Sequence, residues 1–113
     1  AVRAVRNVGF QPRVAFLSYS TFGNPMGERG DKVRDAVSIL DRTPGIDFEY
    51  EGDMNADVAL NPNHKLLYPF SRLTGPANVL VMPAIHSASI ATNLLEQMSR
   101  AVVIGPMLLG LEK

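Results

Sequence analysis

Pro12-Arg13-Val14-Ala15-Phe16-Leu17-Ser18-Tyr19-Ser20-Thr21-Phe22-Gly23-Asn24-Pro25 is the stretch that decides the fold. Residues 14–17 are a short, unbroken apolar run. It stops in the hydroxyl-rich Ser18-Tyr19-Ser20-Thr21, and Gly23 and Asn24-Pro25 follow. An apolar run of that length, bounded by turn residues, reads as a strand buried on both faces. Such strands belong to parallel sheets covered by helices. The hydroxyl-rich segment then lies just past the strand's carboxyl end, where open α/β sheets bind ligands.

Downstream, Val33, Ala36, Val37 and Leu40 recur at helical spacing and predict a helix over 28–42, with Glu28 and Lys32 as an i,i+4 pair. Asn24-Pro25 offers a cap and a first-turn proline, whereas Gly27 and Gly30 argue for a start nearer Asp31. Thr43-Pro44-Gly45 ends the helix. Ile46-Asp47-Phe48-Glu49-Tyr50-Glu51 alternates apolar and acidic residues, the pattern of a half-exposed edge strand closed by Gly52. Its acids would form the solvated face and protect the edge from further pairing. Asp53 is then expected to cap a short helix over 54–60.

Residues 61–75 carry Pro62 and Pro69 and read as a long loop with one helical turn. Asn78-Val79-Leu80-Val81-Met82-Pro83 is a second buried strand. A helix over 87–100 follows, with Ile90, Leu94, Leu95 and Met98 as its apolar stripe. Ala101-Val102-Val103-Ile104 is a further strand, and Met107-Leu108-Leu109-Gly110-Leu111 is apolar. The methionines 54, 82, 98 and 107 read as core filler. The fold class is therefore α/β: a small doubly wound parallel sheet of about four strands, with helices on both faces. The expected strand order is 2-1-3-4. The crevice at the reversal lies between loop 18–23 and residues 83–89.

The chain has 113 residues, enough for one core, and is treated as a single unit over 1–113. Its 11 basic and 11 acidic residues balance, so charge points to neither nucleic acid nor a membrane surface as partner. No apolar stretch approaches the ~18 residues of a membrane span. There is no cysteine, which removes disulfides and thiolate chemistry and suits a cytoplasmic protein. Residues 1–10 read as the tail of an amphipathic helix with Gly9 as its C-cap, so the chain is expected to be a fragment of a larger protein. An apolar end and a free sheet edge would suit a homo-oligomer.

Ser18, Tyr19, Ser20 and Thr21 are candidates to hold a phosphate through hydroxyls, free amides and a helix N-terminus. The alternative is a strand end closed by local hydroxyl hydrogen bonds. Arg72 either clamps an anion or is a surface arginine. His86-Ser87 is either a base beside a nucleophile or a solvated histidine beside a helix cap. His64 and His86 stand too far apart in sequence to suggest a metal site. No complete catalytic constellation is visible.

Several stretches resemble the phosphate acetyl/butyryltransferase family: residues 12–21, Lys32-Val33-Arg34-Asp35-Ala36, residues 51–60, Gly75-Pro76-Ala77-Asn78-Val79-Leu80-Val81-Met82-Pro83, and residues 104–111. They cover most of the chain in the family's order. Within the family, Phe22-Gly23-Asn24-Pro25, Tyr68-Pro69-Phe70-Ser71-Arg72-Leu73 and Ala84-Ile85-His86-Ser87-Ala88 are similar to the C-terminal domain of large NADP-dependent malic enzymes. The last stretch stands where acetyltransferases usually show Asp-Leu-Asn.

The resemblance implies the second subdomain of a two-subdomain transacetylase-like unit. It implies a regulatory role that senses acetyl-CoA or a related acyl-CoA, with the malic-enzyme catalytic domain as partner. The parent would oxidatively decarboxylate malate to pyruvate with NADP and a divalent metal, magnesium or manganese; no cofactor is expected within these residues. Ser18, Ser20, Thr21, Gly23, Arg72, His86 and Ser87 become candidate acyl-CoA contacts. The transferases' Ser-Arg-Gly segment would fall beyond Lys113, so this chain alone is expected to be non-catalytic. The alternative is part of a phosphate acetyltransferase that moves acetyl between CoA and phosphate. A third reading is a purely structural module.

Overall fold

The computed structural model describes residues 2–23 and 28–98, with the side chains of 28–30 left aside. The elements run α1 (Val2–Asn7), β1 (Arg13–Leu17), α2 (Glu28–Asp41), β2 (Glu49–Met54), α3 (Ala56–Leu60), α4 (His64–Leu67), β3 (Val79–Val81) and α5 (Ile85–Met98). The described strands form one parallel sheet in the order β2-β1-β3. This is the first part of the expected 2-1-3-4 order. The strand expected over 101–104, the apolar end at 107–111 and the Asn24-Pro25 cap lie outside the described residues.

β1 is central because both of its faces are apolar. Ala15 and Leu17 join Met54, Ala59, Leu73 and Ala77 in one buried cluster, with Val58 and Leu80 packed against it. α2, whose Val33 and Val37 are buried outside that cluster, packs on β1 and β2. Right-handed crossovers place the α2 and α3 connections on opposite faces, because the chain moves one way to β2 and back the other way to β3. The first helix ends as expected: Gly9 takes φ +92°, and the Phe10 N–H closes back on the Val5 carbonyl at 3.1 Å.

The second strand is displaced from its expected place. It runs from Glu49 to Met54 rather than over 46–51, so Gly52 is internal and does not close it. A Cβ at Gly52 would lie 2.8 Å from the Phe16 Cβ and 2.9 Å from the Phe16 carbonyl, so only glycine lets the two strands pair here. Asp53 does not cap the next helix. It is fully buried in β2, Asn55 holds the N-cap position, and α3 starts at Ala56. Glu51 is not solvated either. It is buried because the Arg72 side chain and backbone N–H both donate to it.

Register explains Asp53. Phe16 pairs with Gly52 but Leu17 pairs with Met54, so Asp53 is the extra residue of a bulge. Bulges re-aim side chains, and here both Asp53 and Met54 end up buried.

α5 starts at Ile85, two residues before the expected 87. His86 and Ser87 are therefore in its first turn and not ahead of it. Its stripe is not core: Ile90, Leu94, Leu95 and Met98 are all exposed, Met98 by 82%. Met54 is core filler as expected, at 0% exposure.

Candidate functional site

The carboxyl ends of β1 and β3 open into a cavity of about 820 Å³ at the expected crevice. Phe16 and Val81 supply apolar wall, Ser18 and Tyr19 come from the strand-end loop, and His86 and Ser87 come from α5. Lys32 reaches it from α2. Among the described lining residues there is no Asp or Glu. The combination of a cation, hydroxyls and apolar wall suits an amphiphilic anion.

Loop 18–23 is built around Asp53. The Ser20 hydroxyl, fully buried, donates to the Asp53 carboxylate. The Gly23 N–H donates to the same carboxylate at 3.2 Å, and Arg34 of α2 donates to it at 3.0 Å. The Asp53 carbonyl accepts the Phe22 N–H at 2.7 Å. Asn55 supports the loop from the other side. Its backbone N–H donates to the Thr21 Oγ1 at 3.1 Å. Its side-chain nitrogen, in the orientation that matches donors to acceptors, meets the Ser18 and Tyr19 carbonyls at 2.9 and 2.8 Å.

These ties hold the loop in an uncommon shape. Phe22 sits at φ +50° and Gly23 at +89°. A bulky residue in the left-handed region is strained by about 1–3 kcal/mol and persists only where its surroundings over-determine it. Phe22 is also pinned by its ring, edge-on to Phe70 at 4.9 Å and tilted on Tyr68 at 5.6 Å.

The structure brings Ser18, His86 and Ser87 to one cavity. Ser20 lies behind it with its hydroxyl committed to Asp53, and Thr21 and Gly23 are tied inward to Asn55 and Asp53. Arg72 is elsewhere. It lines a separate cavity of about 580 Å³ with Gln11, Arg13 and Glu49, at the amino ends of the strands. There it donates to Glu51 at 3.0 Å and to Asp41 at 2.5 Å, and stacks over Tyr50 at 4.4 Å. The Glu51 hydrogen bond, against desolvation, and then Asp41 push the Arg72 pKa well above its ordinary value. Its donors are engaged by carboxylates, so it acts as a structural clamp in this arrangement.

Sequence reasoning missed Lys32, Asp53, Arg34 and Asn55. Lys32 stands four residues before Ala36, at the edge of the apolar stripe and near the helix end that faces the strand tips; that spacing was the available signal. Among the described residues no group of His, Asp or Glu is arranged to hold a metal ion. His86 and Ser87 share the cavity lining with Ser18 and Lys32.

The sequence model described as phosphate acetyl/butaryl transferase matches residues 1–113. The chain belongs to that family. It is 58% identical over 113 residues to an NADP-dependent malic enzyme of Rhizobium meliloti (strain 1021), covering all of this chain and 15% of the relative. It is 41% identical over 106 residues to a phosphate acetyltransferase of Buchnera aphidicola subsp. Acyrthosiphon pisum, covering 93% of this chain and 15% of the relative. The EutD phosphotransacetylase from Staphylococcus aureus superposes with a TM-score of 0.83 at 26% identity, over 93% of this chain and 33% of that one. This transferase-family chain thus spans a small part of the relatives it matches.

Proposed function

We propose that this chain is the acyl-CoA-sensing module of an NADP-dependent malic enzyme. The observation that carries the reading is the crevice: Lys32, Ser18, Ser87 and His86 beside apolar wall, with no carboxylate among its described lining residues. An acyl-CoA has that dual character, with phosphates at one end and an acylated, largely apolar arm at the other. The family and the 58% identical malic enzyme support the choice of ligand and parent. Binding acetyl-CoA would bias a conformational equilibrium in the catalytic part by its differential affinity for the two states. In this reading the parent is a cytoplasmic homo-oligomer. NADP and a divalent metal, magnesium or manganese, are held elsewhere in its chain.

A second reading is favoured by the structural match to phosphotransacetylases. There the crevice would present acetyl-CoA to inorganic phosphate, giving acetyl phosphate and free CoA. Malate-dependent NADP reduction by the full-length protein separates the two. The regulatory reading expects acetyl-CoA to change the rate, and Ser18→Ala with Lys32→Ala to abolish that response. Acetyl phosphate formation without malate oxidation would replace it with the transferase.

A further inference from the structure

Ser18 lines the cavity, and its Oγ lies 3.1 Å from the Ser20 Oγ, a contact in which either hydroxyl could donate. Asp53 decides the direction. Its carboxylate faces the Arg34 guanidinium and the Gly23 N–H, groups that can only donate, so it accepts from all sides. The single Ser20 proton therefore goes to Asp53. The Ser18–Ser20 hydrogen bond must then use the Ser18 proton. The Ser20 N–H adds a second tie to the Ser18 Oγ, at 3.4 Å. Ser18 is left with its proton turned inward and a lone pair for the cavity.

We propose that Ser18 accepts a hydrogen bond from an amide N–H of the bound acyl-CoA's pantetheine arm, with Ser20 and Asp53 as the positioning residues that set this polarity. The proposal rests on the acyl-CoA reading above. A phosphate oxygen is an acceptor and gains nothing from a hydroxyl whose proton is engaged. The pantetheine arm carries secondary amides, whose N–H groups need acceptors when they leave water. The relay Ser18→Ser20→Asp53 thus assigns the amide arm to the strand-end loop and leaves the phosphates to the cationic side at Lys32. The bulge supports the assignment. Asp53 sits at the register shift between the pairs Phe16–Gly52 and Leu17–Met54, and from there its carboxylate accepts the Ser20 hydroxyl.

Titration calorimetry on the intact protein tests this with three probes: acetyl-CoA, S-acetylpantetheine, which carries the amides alone, and adenosine 3′,5′-bisphosphate, which carries phosphates alone. Ser18→Ala should weaken S-acetylpantetheine about threefold to tenfold, the range of one neutral hydrogen bond, and leave the bisphosphate unchanged. Ser20→Ala, which keeps Ser18 but frees its proton, should also weaken S-acetylpantetheine and spare the bisphosphate. It carries the test if Ser18→Ala does not fold. A merely structural role would weaken both probes together. The proposal is overturned if Ser18→Ala leaves S-acetylpantetheine unaffected or weakens the bisphosphate instead. If the wild type binds acetyl-CoA but Ser18→Ala gives neither selective loss, only this proposal fails. If the wild type does not bind acetyl-CoA at all, the reading beneath it fails as well.

Discussion

Arg34 on α2 and Asp53 on β2 meet at 3.0 Å, with the Asp53 side chain fully buried and the Arg34 side chain a quarter exposed, at 25%. One carboxylate thereby joins the helix that carries Lys32 to the loop that carries Ser18. Desolvation opposes the Arg34 charge. The hydrogen bond to Asp31 and the fields of Asp53 and Asp31 outweigh it, and the Arg34 pKa lies above its ordinary value.

Removing the cation strands the carboxylate. Arg34→Met should destabilise the fold, because the buried Asp53 carboxylate is left without its cationic partner. Arg34→Lys keeps the charge and should lose less. Urea unfolding of the two variants gives the comparison; equal losses would mean that charge is not the reason for the tie.

The closeness of β1 and β2 at Gly52 predicts a steric effect. Gly52→Ala places a methyl group 2.8 Å from the Phe16 Cβ and 3.3 Å from a Val37 methyl. Overpacking of this kind costs about 1–3 kcal/mol. Gly75→Ala is the control, since the nearest atom to its new Cβ is the Arg13 Nε at 3.9 Å. A thermal melt that ranks the two variants alike would contradict the packing.

Behind the sheet, His64 and Ser71 are both buried. The His64 Nδ1 contacts the Val58 carbonyl at 3.0 Å, so this nitrogen carries the proton. The Nε2 shares a hydrogen bond with the Ser71 hydroxyl at 2.8 Å, and Ser71 Oγ accepts the Leu73 N–H at 3.2 Å. Ser71→Ala leaves two buried polar groups unpaired and should destabilise by about 1–3 kcal/mol. Nitrogen NMR of the imidazole should show the Nδ1–H tautomer in the wild type; the Nε2–H form would refute the assignment.

The amino-end cluster makes a pH prediction. Tyr50 donates to Asp41 at 2.7 Å, and Arg72 donates to it as well. The Tyr50 hydrogen bond, and then Arg72, hold the Asp41 carboxyl below its usual range, while Asp41 pushes the Tyr50 phenol up. A depressed carboxylate gives stability that is full above the unfolded value of about 4 and lost as pH falls through the lower folded value. A raised phenol gives stability that is full below about 10 and lost as pH rises through the higher folded value. Asp41→Asn should flatten the acid limb and return the Tyr50 ultraviolet titration toward about 10. An unchanged Tyr50 titration would show that the pair does not form.

The strand at 14–17, its hydroxyl-rich end and the order of the described elements were legible because apolar runs and turn residues are local signals. Val33 and Val37 announced the buried side of α2 by spacing alone. Asp53 was misread because a bulge is a property of two strands: Gly52 looks like a terminator until Phe16 lies beside it. Glu51 looked solvated because its partner, Arg72, is 21 residues away along the chain. Ser20 looked free for a ligand because a hydroxyl's partner cannot be read from its neighbours. The crevice was placed by topology, but Lys32 entered it only through the docking of α2 on the sheet.

The proposed function stands on acyl-CoA binding at the crevice beside Lys32. Titration of acetyl-CoA into the full-length protein and into its Lys32→Glu variant tests it most directly. Saturable binding by the wild type is expected, with a loss of about tenfold or more on charge reversal, growing as salt is lowered. Equal affinity of the two proteins, or no saturable binding by the wild type, would contradict it.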